Sequence, residues 1–213
     1  MEGLDILKKE WQQSSENQPK LSYNQIYNMW YKKSTSIVKW IFIISIAELL
    51  LWSSLSLITP KSTYEIIEVI GASSFMIVFN IIHYFIFIIF IVVFIKNYLS
   101  IKTTDSTKEL MNKILRTRKT VRYFVIYNVI AFALAIICFN IFYYLESDLL
   151  IQYLESDLGV INNKTEFLYG FFVGQLVISI IMLGLLILFY RIVYGVLLKR
   201  LHRNYQELKK IEL

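Results

Sequence analysis

IVFNIIHYFIFIIFIVVFI, residues 77–95, decides the fold class. Only Asn80 and His83 interrupt its aliphatic and aromatic side chains. The apolar residues are continuous. A strand of a membrane barrel would alternate and stop after about 10 residues. A helix of about 20 apolar residues crosses a hydrocarbon layer of about 30 Å. Inside lipid it also satisfies every backbone amide within the segment. The stretch belongs to a longer run, 69–95, and three comparable runs occupy 37–58, 123–144 and 167–190. The sequence therefore predicts an all-α, polytopic membrane protein with four transmembrane helices.

Composition agrees. Of 213 residues, 56% are hydrophobic, 16% are aromatic and only 18% are charged. Soluble domains carry about 25% charge, and one core of this size could not hide so much apolar surface. Disordered chains have the opposite composition. A single cysteine, Cys138, excludes an internal disulfide framework and a zinc cluster. The run 37–58 does not read as a cleavable signal: a polar segment of 36 residues precedes it and no small-residue cleavage site follows.

Lysine and arginine set the expected orientation. Five lie in 1–36, eight in 96–122 and six in 191–213, nineteen in all, against one each in 59–68 and 145–166. Both termini are expected in the cytoplasm. The net charge of +6 reads as this asymmetry, with some attraction to anionic lipid, and not as a nucleic-acid footprint. The expected organisation is a cytoplasmic tail over 1–36, a four-helix membrane domain over 37–193 and a cytoplasmic helix extension over 194–213.

The tail reads as two short amphipathic helices around a polar linker, 14–20, that contains Pro19. In the first, Leu4, Leu7 and Trp11 share a stripe and are candidates to dock a cytoplasmic partner. The second starts at a capping box, Ser22 with Gln25, and a hydrophobic staple, Leu21 with Ile26. It presents Tyr23, Ile26, Tyr27 and Trp30 on one face. Trp30, Tyr31 and Trp40 read as an interfacial belt. The loop 96–122 predicts a helix capped by Asp105 or Ser106, with Leu110, Ile114 and Val121 as its apolar stripe. Tyr194, Leu198, Leu201, Tyr205 and Leu208 follow 4-3-4-3 spacing, a seam that can pack on the loop helix or on another copy.

The loop 145–166 is acidic and repeats YLESDL at 144–149 and 153–158. A cation such as calcium is one reading of its paired acids, although EF-hand spacing is absent. A local duplication at the outer surface is the other. Asn163-Lys164-Thr165 matches a glycosylation sequon.

Polar residues inside the runs are few, and such residues mark function or helix pairing. Glu48 lies at the middle of the first run, and Asn80 and His83 at the middle of the second. Counting along the helices places all three at similar depth. The expectation is a Glu48–His83 pair with Asn80 on the same face. It would be either a structural pin between two helices or a proton or ion relay. Asn140 and Gln175 are a second pair at matching depth. Gly170 and Gly174 form a small-xxx-small motif, and Ala131 and Ala135 repeat the spacing on the third run. Close packing of the third and fourth helices is expected, with homo-oligomerisation as the alternative. No HExxH, no cysteine–histidine dyad, no clustered metal ligands and no phosphate-cradling glycine loop occurs, so no cofactor and no enzymatic activity is expected. Gly71-Ala72-Ser73 begins like a nucleophile turn but lacks the closing glycine.

LDILKKEW at 4–11, the polar linker, and SYNQIYNMWYKKSTSIVKWIFIISIAELLLW at 22–52 resemble a group of uncharacterised inner-membrane proteins of Bacteroidota. The likeness is closest over 3–52. The resemblance implies four membrane helices and cytoplasmic tails. Some similar proteins are labelled carotenoid-cleaving monooxygenases, an activity that needs an iron held by four histidines; this chain has two, His83 and His202. Similar proteins sit beside alternative sigma factors, which implies a regulatory role. The functional expectation is a non-enzymatic inner-membrane module that meets the lipid bilayer and a cytoplasmic partner. A small oligomeric transporter or channel using Glu48 and His83 is the alternative.

Overall fold

The computed structural model describes residues 22–102 and 104–212. Leu4, Leu7 and Trp11, the linker, Leu21 of the staple and the Tyr23 side chain lie outside the described residues. Among the described residues there are six helices and no strand: α1 (Tyr23–Ile58), α2 (Lys61–Val69), α3 (Ser73–Ser100), α4 (Thr107–Leu145), α5 (Ser147–Leu158) and α6 (Lys164–Glu212). α1, α3, α4 and α6 are each long and apolar enough to cross a membrane. Residues such as Ile81, Phe85, Ile88 and Ile89 stay exposed along α3, a surface suited to lipid. Pro60 sits at the corner between α1 and α2, and among the described residues no proline interrupts a long rod.

α1 begins at the expected capping box. The Gln25 amide donates to Ser22 Oγ (3.3 Å), and the Ser22 amide to Gln25 Oε1 (2.9 Å). The helix then continues without a break to Ile58, so its first turns are not a separate tail helix. Trp30 and Tyr31 pack against the bundle core, while Trp40 stays exposed. Along α1 the buried positions Ser34, Val38, Ile41, Ser45 and Glu48 make a 4-3-4-3 stripe, with Ile37 buried beside it. α4 carries a longer stripe of the same kind: Leu110, Ile114, Thr117, Val121, Phe124, Asn128 and Ala131. Such seams let helices pack at shallow angles over many turns. α1 packs against α3 and α6, and α4 packs against α6 and α3.

At the end where α1 starts and α6 finishes, here the basic end, the bundle runs on beyond the apolar runs. Leu110, Ile114 and Val121 of α4 share one buried cluster with Tyr194, Leu201 and Leu208 of α6. The seam of α6 thus packs on α4, within one chain. Its buried edge includes Asn204, while Leu198 and Tyr205 are only partly buried. Polar bonds stitch this end. Asn204 Nδ2 donates to Ser34 Oγ (3.2 Å), Arg118 meets His202 Nδ1 (2.9 Å), and the Tyr27 hydroxyl donates to the Asp105 carbonyl (2.5 Å). Ser106 caps α4 in a second capping box with Glu109. Lys113 Nζ bonds both Asp105 carboxylate oxygens at 2.7 Å and the Ser100 carbonyl at 2.5 Å. Burial alone would raise the Asp105 carboxyl. The hydrogen bonds from Lys113 and the Lys102 amide, with the lysine charges, outweigh it and hold the group below the usual carboxylate range.

The opposite, acidic end differs from the expected loops. The run 69–95 spans two helices, because α2 ends at Val69 and Gly71 turns the chain at φ 68° before α3 starts at Ser73. The segment 145–166 also contains a helix, α5. Ile67, Ile70 and Ala72 pack there with Leu150, which caps the bundle with a second small core. The two YLESDL copies fold differently. The first spans the break between α4 and α5 at Glu146, and the second lies inside α5, where the Tyr153 hydroxyl donates to Glu65 Oε2 (3.0 Å). Among the described residues no three His, Cys, Asp or Glu side chains converge as a cation site would require.

Candidate functional site

Glu48 is buried on α1 at 4% exposure. α1 lies between α3 and α6, so depth alone does not choose its partner. The structure turns Glu48 to α6. The Tyr190 hydroxyl donates to its Oε1, and the Tyr194 hydroxyl to its Oε2 at 3.0 Å. Trp52, one turn along α1, adds a third side-chain hydrogen bond. Three donors therefore satisfy the carboxyl without a cation, which removes the main cost of burying it. The aromatic shell is tight: the Phe124 ring centroid lies 5.7 Å from that of Tyr194 and 5.1 Å from that of Phe87.

The expected Glu48–His83 pair is corrected here. His83 faces α4, where its Nδ1 meets the Tyr127 hydroxyl at 3.3 Å and its ring stacks on Tyr127 with centroids 5.7 Å apart. Phe79, one turn away on α3, stacks with the same ring at 6.2 Å. Counting residues from the centre of each run fixes height but not direction around the helix. The two tyrosines on α6 also compete as donors for the carboxyl. Tyr190 and Tyr194 are the functional candidates that sequence reasoning missed. Their i, i+4 spacing, which puts two hydroxyls on one helix face, was the signal.

Above this layer, toward the acidic end, a cavity of about 370 Å³ opens inside the bundle. That volume falls among sites for small ligands, about 300–1,000 Å³. Thr59, Thr63 and Tyr64 of the α1–α2 corner line it, as does Tyr190 of α6. Its walls are mostly apolar and aromatic. The polar exceptions include Asn80, His83 and Asn128, so the face expected to carry Asn80 and His83 lines one shared space. Asn80 Nδ2 is bonded to the Met76 carbonyl and Asn128 Nδ2 to the Phe124 carbonyl, both at 2.8 Å. Each keeps a carbonyl oxygen and one N–H for other use. Ala131 and Ala135 line this cavity too, and their small side chains leave it open.

Gly170 and Gly174 do not join the site. A Cβ built on either meets nothing within 4 Å, so these glycines do not bring α4 and α6 together. The expected close packing at that motif is absent within the chain. Asn140 donates to the Ile136 carbonyl of its own helix (2.8 Å), which supplies its amide locally. Asn163 of the sequon bonds the Glu166 backbone amide (3.3 Å) and side chain (3.1 Å), the pattern of a helix cap at the start of α6.

No curated protein and no solved structure matches the chain. Residues 24–213, nearly the whole of what the structure describes, match the model of a domain of unknown function (DUF8845), and the chain belongs to that family.

Proposed function

We propose that the chain is a non-enzymatic, multi-pass protein of a bacterial inner membrane, of the Bacteroidota kind its tail resembles, with the basic end in the cytoplasm. It works there as a membrane-anchored interaction module for a cytoplasmic partner. One observation carries this reading. The helices α1, α4 and α6 continue past their apolar runs as a folded unit with a buried core of Leu110, Ile114, Leu201 and Leu208. A connecting loop needs no such core; a rigid platform that holds a partner at the membrane surface does. The count of nineteen lysines and arginines on this side supports the orientation. The stripe of Leu4, Leu7 and Trp11 is the proposed contact.

The test is site-specific photo-crosslinking in cells. Probes at Asn112 and Lys209 are expected to give a discrete adduct that Leu7→Asp with Trp11→Asp abolishes at unchanged expression. Adducts from Ser62 and Ser156 alone would overturn the reading.

The cavity supports a second reading, a small oligomeric transporter or channel. Its route would pass Asn80 and His83 to Tyr190 and Glu48 and would not need a direct Glu48–His83 bond. Proteoliposomes would decide it: solute or proton flux lost in Tyr190→Phe would favour transport, and no flux in the unaltered chain would remove it.

A further inference from the structure

Two hollows run together along the seam of α4 and α6 at the basic end. The first, about 300 Å³, is walled by Arg118, Lys119 and Arg122 with Leu115, Tyr123 and Leu198. The second, about 270 Å³, shares Arg122 and Leu198 with it and continues between Val125, Val129 and Ile187, with Arg191 beside it. The first is cationic and the second almost wholly apolar.

Their height is fixed by the sequence. Arg122 immediately precedes the apolar run 123–144, and Arg191 immediately follows 167–190. Both arginines therefore mark the level where the bilayer surface meets the bundle, and the apolar hollow descends from them into the hydrocarbon. At this end Asp105 pairs with Lys113, Glu109 is engaged in the cap of α4, and Glu207 pairs with Lys210. Among the described residues no carboxylate pairs with Arg118, Lys119, Arg122 or Arg191. Arg118 meets His202, and Lys119 lies 5.8 Å over the Tyr123 ring. Gly195 lies in the apolar hollow, where a Cβ would find only Arg191 Cγ at 4.0 Å, so the missing side chain keeps the hollow open.

We propose that this groove is a binding site for one anionic phospholipid. Arg122, Lys119 and Arg191 hold the phosphodiester, and an acyl chain lies along Val125, Val129 and Ile187 over Gly195. A guanidinium offers paired donors to phosphate oxygens, and basic pockets between membrane helices recognise anionic headgroups. A free phosphate would use only the cationic hollow, whereas a phospholipid uses both.

The experiment is native mass spectrometry of the full chain released from mixed micelles with phosphatidylglycerol or phosphatidylcholine of identical acyl chains. Retention of phosphatidylglycerol is expected to exceed that of phosphatidylcholine at least fivefold. The triple change Arg122→Gln, Lys119→Gln, Arg191→Gln is expected to erase that difference. Gly195→Leu, which fills the apolar hollow and leaves the cations, is expected to lower retention at least fivefold. Gly195→Ala, for which there is room, is expected to bind normally. Should Gly195→Leu fail to fold by circular dichroism, Ile187→Trp replaces it. Inorganic phosphate at millimolar concentration is expected not to displace the lipid. Equal retention of the two lipids, or of lipid by the triple variant, overturns the site. Loss with the charge changes but not with the filled hollow, or displacement by phosphate, reduces it to a phosphate contact and overturns the lipid assignment.

Discussion

Glu48 is held by hydroxyls, and that choice of partner has measurable consequences. Removing one donor leaves a buried acceptor short, which costs about 1–3 kcal/mol. Tyr190→Phe and Tyr194→Phe are each expected to lower stability by that order in detergent unfolding. In double-mutant cycles Glu48→Leu should couple to Tyr194→Phe more strongly than to His83→Gln. A larger coupling to His83 would restore the pair that depth alone predicted. Asp105 offers a pH test outside the membrane. Its carboxyl is depressed in the folded chain, so its contribution is complete above the unfolded value of about 4 and is lost as the pH falls through the lower folded value. Lys113→Met is expected to cost about 1–2 kcal/mol at neutral pH. The gap between the two proteins should narrow as melting is followed down below the unfolded value of about 4. At this scale the sequence was partly legible. The rarity of charge in the runs singled out Glu48 and His83, the cap at Ser22 could be read from its residues, and the second was narrowed to Asp105 or Ser106, of which Ser106 is the cap. The partners could not, because Tyr190 and Tyr194 are ordinary interfacial residues until the packing of α1 on α6 is known.

Elements follow the same division. Four long rods were readable because twenty apolar residues in lipid leave the backbone no other choice. The short helices α2 and α5 are not legible in the sequence, since each is brief and amphipathic and finds its apolar partners only in the other and in residues of the long rods such as Phe139, Phe142 and Phe171. Identical YLESDL copies in two settings make the point directly: Glu146 breaks the helix in one copy, and its counterpart Glu155 lies within α5 in the other. Gly71 holds φ 68° between α2 and α3. Gly71→Ala is expected to cost about 1 kcal/mol from backbone strain alone, since a Cβ there meets nothing. Gly174→Leu is expected to leave the melting temperature of the monomer unchanged or raised, because no neighbour lies within 4 Å and leucine is the better helix former. Cross-links between copies lost in the same variant would assign that face to a second chain.

For the whole molecule, topology is the first measurement. Cysteines at 62 and 156 are expected to react with an impermeant maleimide in intact cells, and those at 15, 106 and 206 only after lysis. Reaction at 106 in sealed cells would invert the protein. Charge asymmetry made the two ends distinguishable in the sequence. The cavity was not legible, since it is a gap between helices and depends on how small residues of α4 such as Ala131 and Ala135 meet Trp52 of α1 around one space. The longest element has a mechanical corollary. α6 is one rod of 49 residues, about 74 Å at 1.5 Å per residue, and no proline interrupts it. Glu48 grips it at Tyr190 and Tyr194, close to its middle. The carboxyl therefore stands where a lever has its fulcrum. A tilt of about 5° around that point swings the tips in opposite senses by about 3 Å each, at this length. A rigid tilt of the rod about that point would move its two ends in opposite directions.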